Sequence, residues 1–194
     1  MWEDRFATPA YVFGKAPARF MTEHADHFKP GTTGLSVADG EGRNSVFMAQ
    51  CGMTVTALEF APSAITKARA LANEQGVSVD FQTCDVLKDA FTGTYDIVTG
   101  IFIQFTGPTE RRALFAKMQD ATKPGGLLML HGYTPEQIAL GTGGPPFVEN
   151  MYTEALLREQ FQGWEVREVA EYTREAQSGQ GLAAYIDFVA RKPV

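Results

Sequence analysis

Two hydrophobic periods take turns along this chain. Short apolar-rich runs at "GLSVAD" (34–39), "TVTALEF" (54–60), "VSVDFQTCD" (77–85) and "YDIVTGIFIQF" (95–105) predict strands. The last is apolar almost throughout, as a strand covered on both faces is. Between them, "GRNSVFMAQCG" (42–52) predicts a helix stopped by Gly52. "APSAITKARALANEQG" (61–76) predicts another, with Ile65, Ala68, Leu71 and Ala72 on one face and Ser63 placed to cap it. "TERRALFAKMQDAT" (109–122) continues the alternation as a helix, "KPGG" (123–126) as a turn, "LLMLHGY" (127–133) as a strand and "TEALLREQF" (153–161) as a helix. "WEVREVAEYT" (164–173) and "GLAAYIDFVARK" (181–192) then follow as two strands with no helix between them. In the first thirty positions "FMTEHADHF" (20–28) predicts one amphipathic helix, broken by "KPGTTG". Strand–helix alternation closed by a hairpin predicts an α/β fold: a Rossmann-like, doubly wound, mostly parallel sheet with a C-terminal antiparallel hairpin. Residues 1–194 are expected to form a single domain, with 1–30 an N-terminal helical lid and 31–194 the core. The Gly/Pro-rich "LGTGGPPFVEN" (140–150) is the longest irregular piece and follows the fifth strand.

Composition narrows the function. With 194 residues, 44% hydrophobic and 21% charged, the chain can bury a substantial core. A net charge of −6 without a Lys/Arg run argues against nucleic-acid partners. No apolar run approaches the ~20 residues that cross a bilayer, and "MWEDRFATPAYVF" is not a signal peptide. Two cysteines, Cys51 and Cys84, give no disulfide framework, and both are expected to act as small buried apolar groups. A cytoplasmic monomer or homodimer without membrane partners is the expectation.

The chemistry centres on "LSVADGEGRNS" (35–45), a strand entering a Gly40-x-Gly42 turn that opens a helix. Such a turn either lets a nucleotide approach the backbone or is a tight connection with no ligand. Glu59 lies 17 residues beyond Gly42, at the end of the second strand, where a carboxylate can accept from two ribose hydroxyls. Asp85, at the end of the third strand, can accept from an exocyclic adenine amine. Asp96, just before the fourth, reads as a strand-edge acid. A nicotinamide dinucleotide calls for a third glycine where Ser45 stands, and Glu41 is a poor neighbour for pyrophosphate. Adenosine without phosphates fits better.

Together "LSVADGEGRNS", "VTALEFAPSAITKARALA", "TCDV", "YDIVTGIFIQF" and "KPGGLLML" resemble the successive motifs of class I methyltransferases that use S-adenosylmethionine (SAM). "GEGRN", "YVFGKAPARFM" and "GTGGPP" followed by "MYT" resemble the tellurite-resistance/thiopurine-type branch that acts on small molecules. The resemblance implies that Gly40 and Gly42 approach the methionine and ribose, that Glu59 holds the ribose, and that Asp85 and the Val86 amide meet the adenine. Ser36, Ala38, Asp39, Asn44, Phe60 and Ile101 complete the implied cofactor set. Where relatives carry an acid, Ser36 brings a hydroxyl and no charge, which Asp39 can partly replace. Where they carry a first glycine, Ala38 calls for ordinary backbone angles.

A small-molecule methyl acceptor, such as a thiol or chalcogen oxyanion, is the implied partner. Only a nucleophile protonated at neutral pH needs a base. His131, at the end of "LLMLHGY", is the catalytic candidate, or else a hydrogen-bonded strand-end histidine. Tyr11 and Phe13 are candidates to cover the cofactor, as the resemblance implies for a lid. Phe102, Gln104, Tyr133 and Tyr152 are candidates to line the acceptor site; core packing is the alternative for the aromatics. His24 and His27 have metal spacing but no third ligand, so a solvated helix face and no metal are expected. A nicotinamide oxidoreductase and a non-catalytic SAM-binding module are the rival functions.

Overall fold

The computed structural model describes residues 2–177 and 179–194. Seven strands form one sheet: β1 (Thr33–Val37), β2 (Thr54–Glu59), β3 (Asp80–Thr83), β4 (Tyr95–Ile101), β5 (Thr122–Tyr133), β6 (Glu165–Glu175) and β7 (Leu182–Arg191). Their order is β3-β2-β1-β4-β5-β7-β6. The first five strands pair in parallel, while β7 inserts antiparallel between β5 and β6. The helices are α1 (Trp2–Phe6), α2 (Arg19–Glu23), α3 (Arg43–Gln50), α4 (Pro62–Glu74), α5 (Pro108–Ala121), α6 (Gln137–Leu140) and α7 (Glu154–Gln160). The predicted doubly wound sheet with its closing hairpin is the observed fold. Strand order reverses between β1 and β4, and that crevice is where open α/β sheets take ligands.

Strand alternation assigns the two faces. Leu128 and Leu130 of β5 join Val98, Phe188, and Leu114 and Phe115 of α5 in one core. Met129 points the other way, with Ile97, Val189, Phe20 and Met21 of α2, and Met48 of α3. His131 and Tyr133 continue the Met129 face. Burying each large apolar side chain contributes roughly 1.5–3 kcal/mol.

Several local expectations give way to tertiary contacts. The helix expected over 20–28 breaks at His24 into α2 and a 3-10 turn, Ala25–His27. His24 is buried rather than on a solvated face: Nδ1 meets the Phe20 carbonyl at 2.8 Å and Nε2 meets Glu168 of β6 at 3.0 Å. Ser63 does not cap α4. Pro62 starts the helix, and Glu3 of α1 accepts from the Ser63 amide (3.2 Å) and hydroxyl (2.5 Å). The "KPGG" turn lies inside β5 as a bulge, because Tyr95 pairs with Thr122 while Ile97 pairs with Leu127. β4 stops at Ile101 because Phe102 takes φ 58°. Within the loop region after β5, Gln137–Leu140 forms the short α6. Cys84 is buried, whereas Cys51 is partly exposed. Asp96 is the strand-edge acid expected, accepting from the Thr33 amide and hydroxyl (2.8 and 2.7 Å) and pairing with Lys123, which brings its carboxyl down to about 2.

Candidate active site

The glycine turn is held by a buried acid. Ser36 Oγ donates to Asp39 at 2.7 Å, and Ser45 donates to the same carboxylate through Oγ (2.5 Å) and its amide (3.3 Å). Asp39 therefore ties the end of β1 to the first turn of α3, where the helix N-terminus favours a negative charge. Burial nevertheless pushes its carboxyl up to about 6, against the pull of the serine hydroxyls. Ala38 does not have the ordinary angles expected: its φ is 51°, a strained left-handed conformation for a residue with a Cβ. The strain is sustained by the bonds on either side, Asp39 N to Leu58 O (2.9 Å) and Ser36 to Asp39. Gly42, at φ 89°, is required by packing, since a Cβ there would meet Ala68 of α4 at 2.7 Å. Gly40, at φ 64°, faces only the Phe6 ring at 3.6 Å. Its open side is where a ligand can reach the backbone.

Glu59 lies beside this opening. Its carboxylate accepts from Gly40 N at 2.8 Å and from Phe60 N and Ala61 N at 2.9 Å each. Burial raises its pKa and the three amides oppose the rise. Phe60, next in the chain, is 44% exposed, unlike most large apolar side chains here. Asp85 stands at the end of the third strand as expected, but it faces outward, bonded to Lys88 (2.7 Å) and the Leu87 amide (3.1 Å). The Val86 side chain is buried in the core, and its carbonyl accepts from Lys117.

The N-terminal segment straps across the turn. Glu41, buried at 4% exposure, accepts from Val12 N (2.8 Å) and Phe13 N (3.4 Å) and pairs with Lys67 of α4 at 2.7 Å. Lys67 also donates to the Ala10 carbonyl, and Arg43 to that of Phe13. The Asn44 side-chain oxygen accepts from Ala18 N of the strap at 2.9 Å. Tyr11 sits on α4, its hydroxyl on the Lys67 carbonyl, and is thus part of the strap's anchor rather than its cover. Phe13 leans on Phe6 and Trp2, so the ring nearest Gly40 is that of Phe6.

The other half of the crevice is aromatic. His131 pairs in register with Ile101 of β4 and Asp187 of β7. Its Nδ1 lies 2.6 Å from Asp187 Oδ1, with both residues 5% exposed, and Tyr172 of β6 donates to the same oxygen at 3.1 Å. Phe20 stacks on the imidazole at 5.2 Å and Phe102 meets it edge-on at 4.7 Å. Tyr133 and Tyr185 stack beside them at 5.4 Å, and burial pushes the Tyr133 phenol up to about 12. Gln104 and Tyr152 do not line this site. The Gln104 amide ties the loop after β4 to β5, accepting from Tyr133 N (2.7 Å) and donating to Tyr133 O (2.8 Å). Tyr152 is 0% exposed, packed on Phe115 in the core, and its hydroxyl has no partner among the described residues.

Residues 35–126 match the methyltransferase domain family. Over that span the chain is similar to methyltransferase domains. The chain is 32% identical, over 77% of its length, to a ubiquinone biosynthesis O-methyltransferase of Xanthomonas axonopodis pv. citri (strain 306), and covers 64% of that protein. It spans about half the length, 52%, of a further such relative from Xanthomonas campestris pv. campestris (strain B100). Among solved structures, TehB from Haemophilus influenzae superposes with a TM-score of 0.75 at 18% identity, covering 98% of this chain and 65% of that one. NodS, an N-methyltransferase from Bradyrhizobium japonicum WM9 solved with S-adenosylhomocysteine, gives 0.74 at 14% identity, over 100% and 97%. At these identities the two structures establish the fold.

Sequence reasoning missed Asp187, Tyr172, Tyr185 and the structural part of Glu41. One signal was present: "AAYIDFVA" places a single acid inside an otherwise apolar strand. A carboxylate at such a position must find a hydrogen-bond donor inside the fold. Among the described residues no cluster of His, Cys, Asp and Glu could hold a metal ion, and no helix is long and apolar enough to cross a membrane.

Proposed function

We propose that the chain is a SAM-dependent O-methyltransferase acting on a hydroxyl of a small molecule. The observation that carries this reading is the buried His131–Asp187 pair at the C-terminal edge of the sheet. When bound, SAM supplies a methyl group already activated by its positive sulfur, leaving alignment, exclusion of water and any proton removal to the protein. The open side of Gly40, the Glu59 carboxylate and the half-exposed Phe60 ring fit an adenosine with its ribose against Glu59. A carboxylate has about four acceptor sites, and amides occupy three of them here, so Glu59 can keep those bonds and still take one ribose hydroxyl.

His131 supplies what a hydroxyl acceptor needs and a thiolate does not. With Nδ1 against Asp187, the neutral ring carries its proton there and presents a lone pair at Nε2. Nε2 has no hydrogen-bond partner among the described residues, which leaves its lone pair available to an acceptor hydroxyl. As the acceptor oxygen gains a methyl group, its proton passes to Nε2, and the Asp187 carboxylate balances the imidazolium. This moves the acceptor class from thiol or chalcogen oxyanion toward a hydroxyl, in keeping with the O-methyltransferase name of the Xanthomonas relatives. The tellurite-resistance/thiopurine-type branch is the finer placement, supported by the motifs at 40–44 and 141–153 and by the likeness to TehB.

Calorimetric titration with S-adenosylhomocysteine is expected to give one-to-one binding at micromolar Kd, ~−8 kcal/mol; no binding overturns the cofactor assignment. With a panel of catechols and phenols and methyl-labelled SAM, His131→Gln is expected to lower turnover by at least about 100-fold at unchanged product affinity. Full turnover by this variant would leave the acceptor class as one needing no base. Binding without transfer to any acceptor would favour the sensor reading.

A further inference from the structure

The C-terminal hairpin lies outside the family match, which ends at residue 126, yet it reaches the imidazole from two strands. His131 of β5 and Asp187 of β7 are direct cross-strand partners, so their side chains rise from the same face. Across the next strand pair Ala170 stands opposite Asp187 and Tyr172 opposite Tyr185, which puts Tyr172 on that face, one diagonal step from the acid. Resting on the reading of His131 above, we propose that Asp187 and Tyr172 are positioning residues: Asp187 fixes the proton of His131 on Nδ1, and Tyr172 fixes the carboxylate that does so.

The geometry supports this in three ways. Both contacts end on one oxygen, Asp187 Oδ1, at 2.6 Å from the imidazole and 3.1 Å from the phenol, so rotation of the carboxylate would break both. Tyr172 is kept in its donor form, since burial and then the Asp187 charge raise its pKa. The face is clamped from above by α2 and the residue that follows it: Glu23 pairs with Arg174, His24 with Glu168, and Phe20 stacks on His131. The other titratable or charged side chains nearby are Tyr133 and Tyr185, with Arg19, Arg43 and Arg174 bearing on Tyr185. None of them displaces Asp187 as the partner of Nδ1.

The test reads the imidazole itself. The chain has 3 histidines, so nitrogen-15 NMR of histidine-labelled protein, assigned with His131→Gln, reports the state of each ring. In wild type the His131 Nδ1 is expected at the protonated position and Nε2 at the unprotonated one. Asp187→Asn, nearly isosteric, is expected to reverse the tautomer, because the amide can donate to Nδ1. Tyr172→Phe is expected to keep the tautomer and raise the His131 titration midpoint, since the carboxylate loses a competing donor; Asp187→Asn should lower it. Shifts of opposite sign are not what loss of packing produces. Unchanged circular dichroism and S-adenosylhomocysteine affinity check that both variants fold. A wild-type proton on Nε2, an Asp187→Asn tautomer like wild type, or equal midpoints in all three proteins would overturn the proposal. If the tautomer reverses as expected while His131→Gln still turns over fully, the base assignment fails and the positioning stands.

Discussion

The two sides of the crevice each bury a carboxylate, and they satisfy it differently. Asp39, at the glycine turn, is held by Ser36 and Ser45, three and six positions away in the chain, and by no direct cation contact among the described residues. Asp187, on β7, is held by His131 and Tyr172, 56 and 15 positions away. The first arrangement fixes backbone: it pins a strand end to a helix start around a strained Ala38. The second fixes a side chain that can gain or lose a proton. Burial without a cation lifts the Asp39 carboxyl to about 6. A buried acid thus reads as scaffold where its donors are hydroxyls of its own turn, and as chemistry where a titratable ring brought from another strand completes it.

Four changes break or sharpen this contrast. The largest concerns Glu41, the buried acid that does have a cation. Lys67→Met leaves its charge without a cation and removes the Ala10 contact from the strap, with an expected loss of about 3 kcal/mol; denaturant unfolding and faster proteolysis of residues 10–18 would register it. Next is the pH dependence of Asp39. Its folded pKa stands above the unfolded one, so the native state holds the proton longer and stability falls as pH rises from about 4 to about 6. Asp39→Asn removes this slope. Across that window wild type should lose about 3 kcal/mol relative to the variant, read from urea midpoints at each pH. An equal slope in both proteins would place the titrating group elsewhere.

Smaller effects follow at Glu59 and Tyr152. Glu59→Ala is expected to weaken S-adenosylhomocysteine by at least about tenfold, ~1.4 kcal/mol, with the sheet intact by circular dichroism. Unchanged affinity would remove the ribose assignment. Tyr152→Phe deletes a buried hydroxyl that has no partner among the described residues, and should stabilise the chain by about 1 kcal/mol in thermal or urea unfolding. A loss of stability there would mean that the hydroxyl is bonded in solution.

Much of the glycine-turn region is legible in the amino-acid sequence. The glycine turn, Glu59 at the end of its strand, Phe60 and the succession of elements all rest on neighbours close along the chain. Asn44 and Tyr11 depart from expectation because their partners, Ala18 and Lys67, come from the strap and from α4. Gln104 and Tyr152 depart from it for a related reason. An aromatic or amide after a strand reads the same whether it turns to the crevice or to the core.

The sequence alone determined what short-range physics controls. Alternation of period fixed the strands and helices, glycines fixed where the chain turns tightly, and an acid 17 residues beyond the turn marked the end of the second strand. Tertiary structure alone decided the rest. It chose a left-handed Ala38, because bonds on both sides outweigh the strain. It broke the helix at His24, because Glu168 waits on β6. It joined His131 to Asp187 and Tyr172, because antiparallel pairing of β7 with β5 and β6 sets a register that no local pattern encodes.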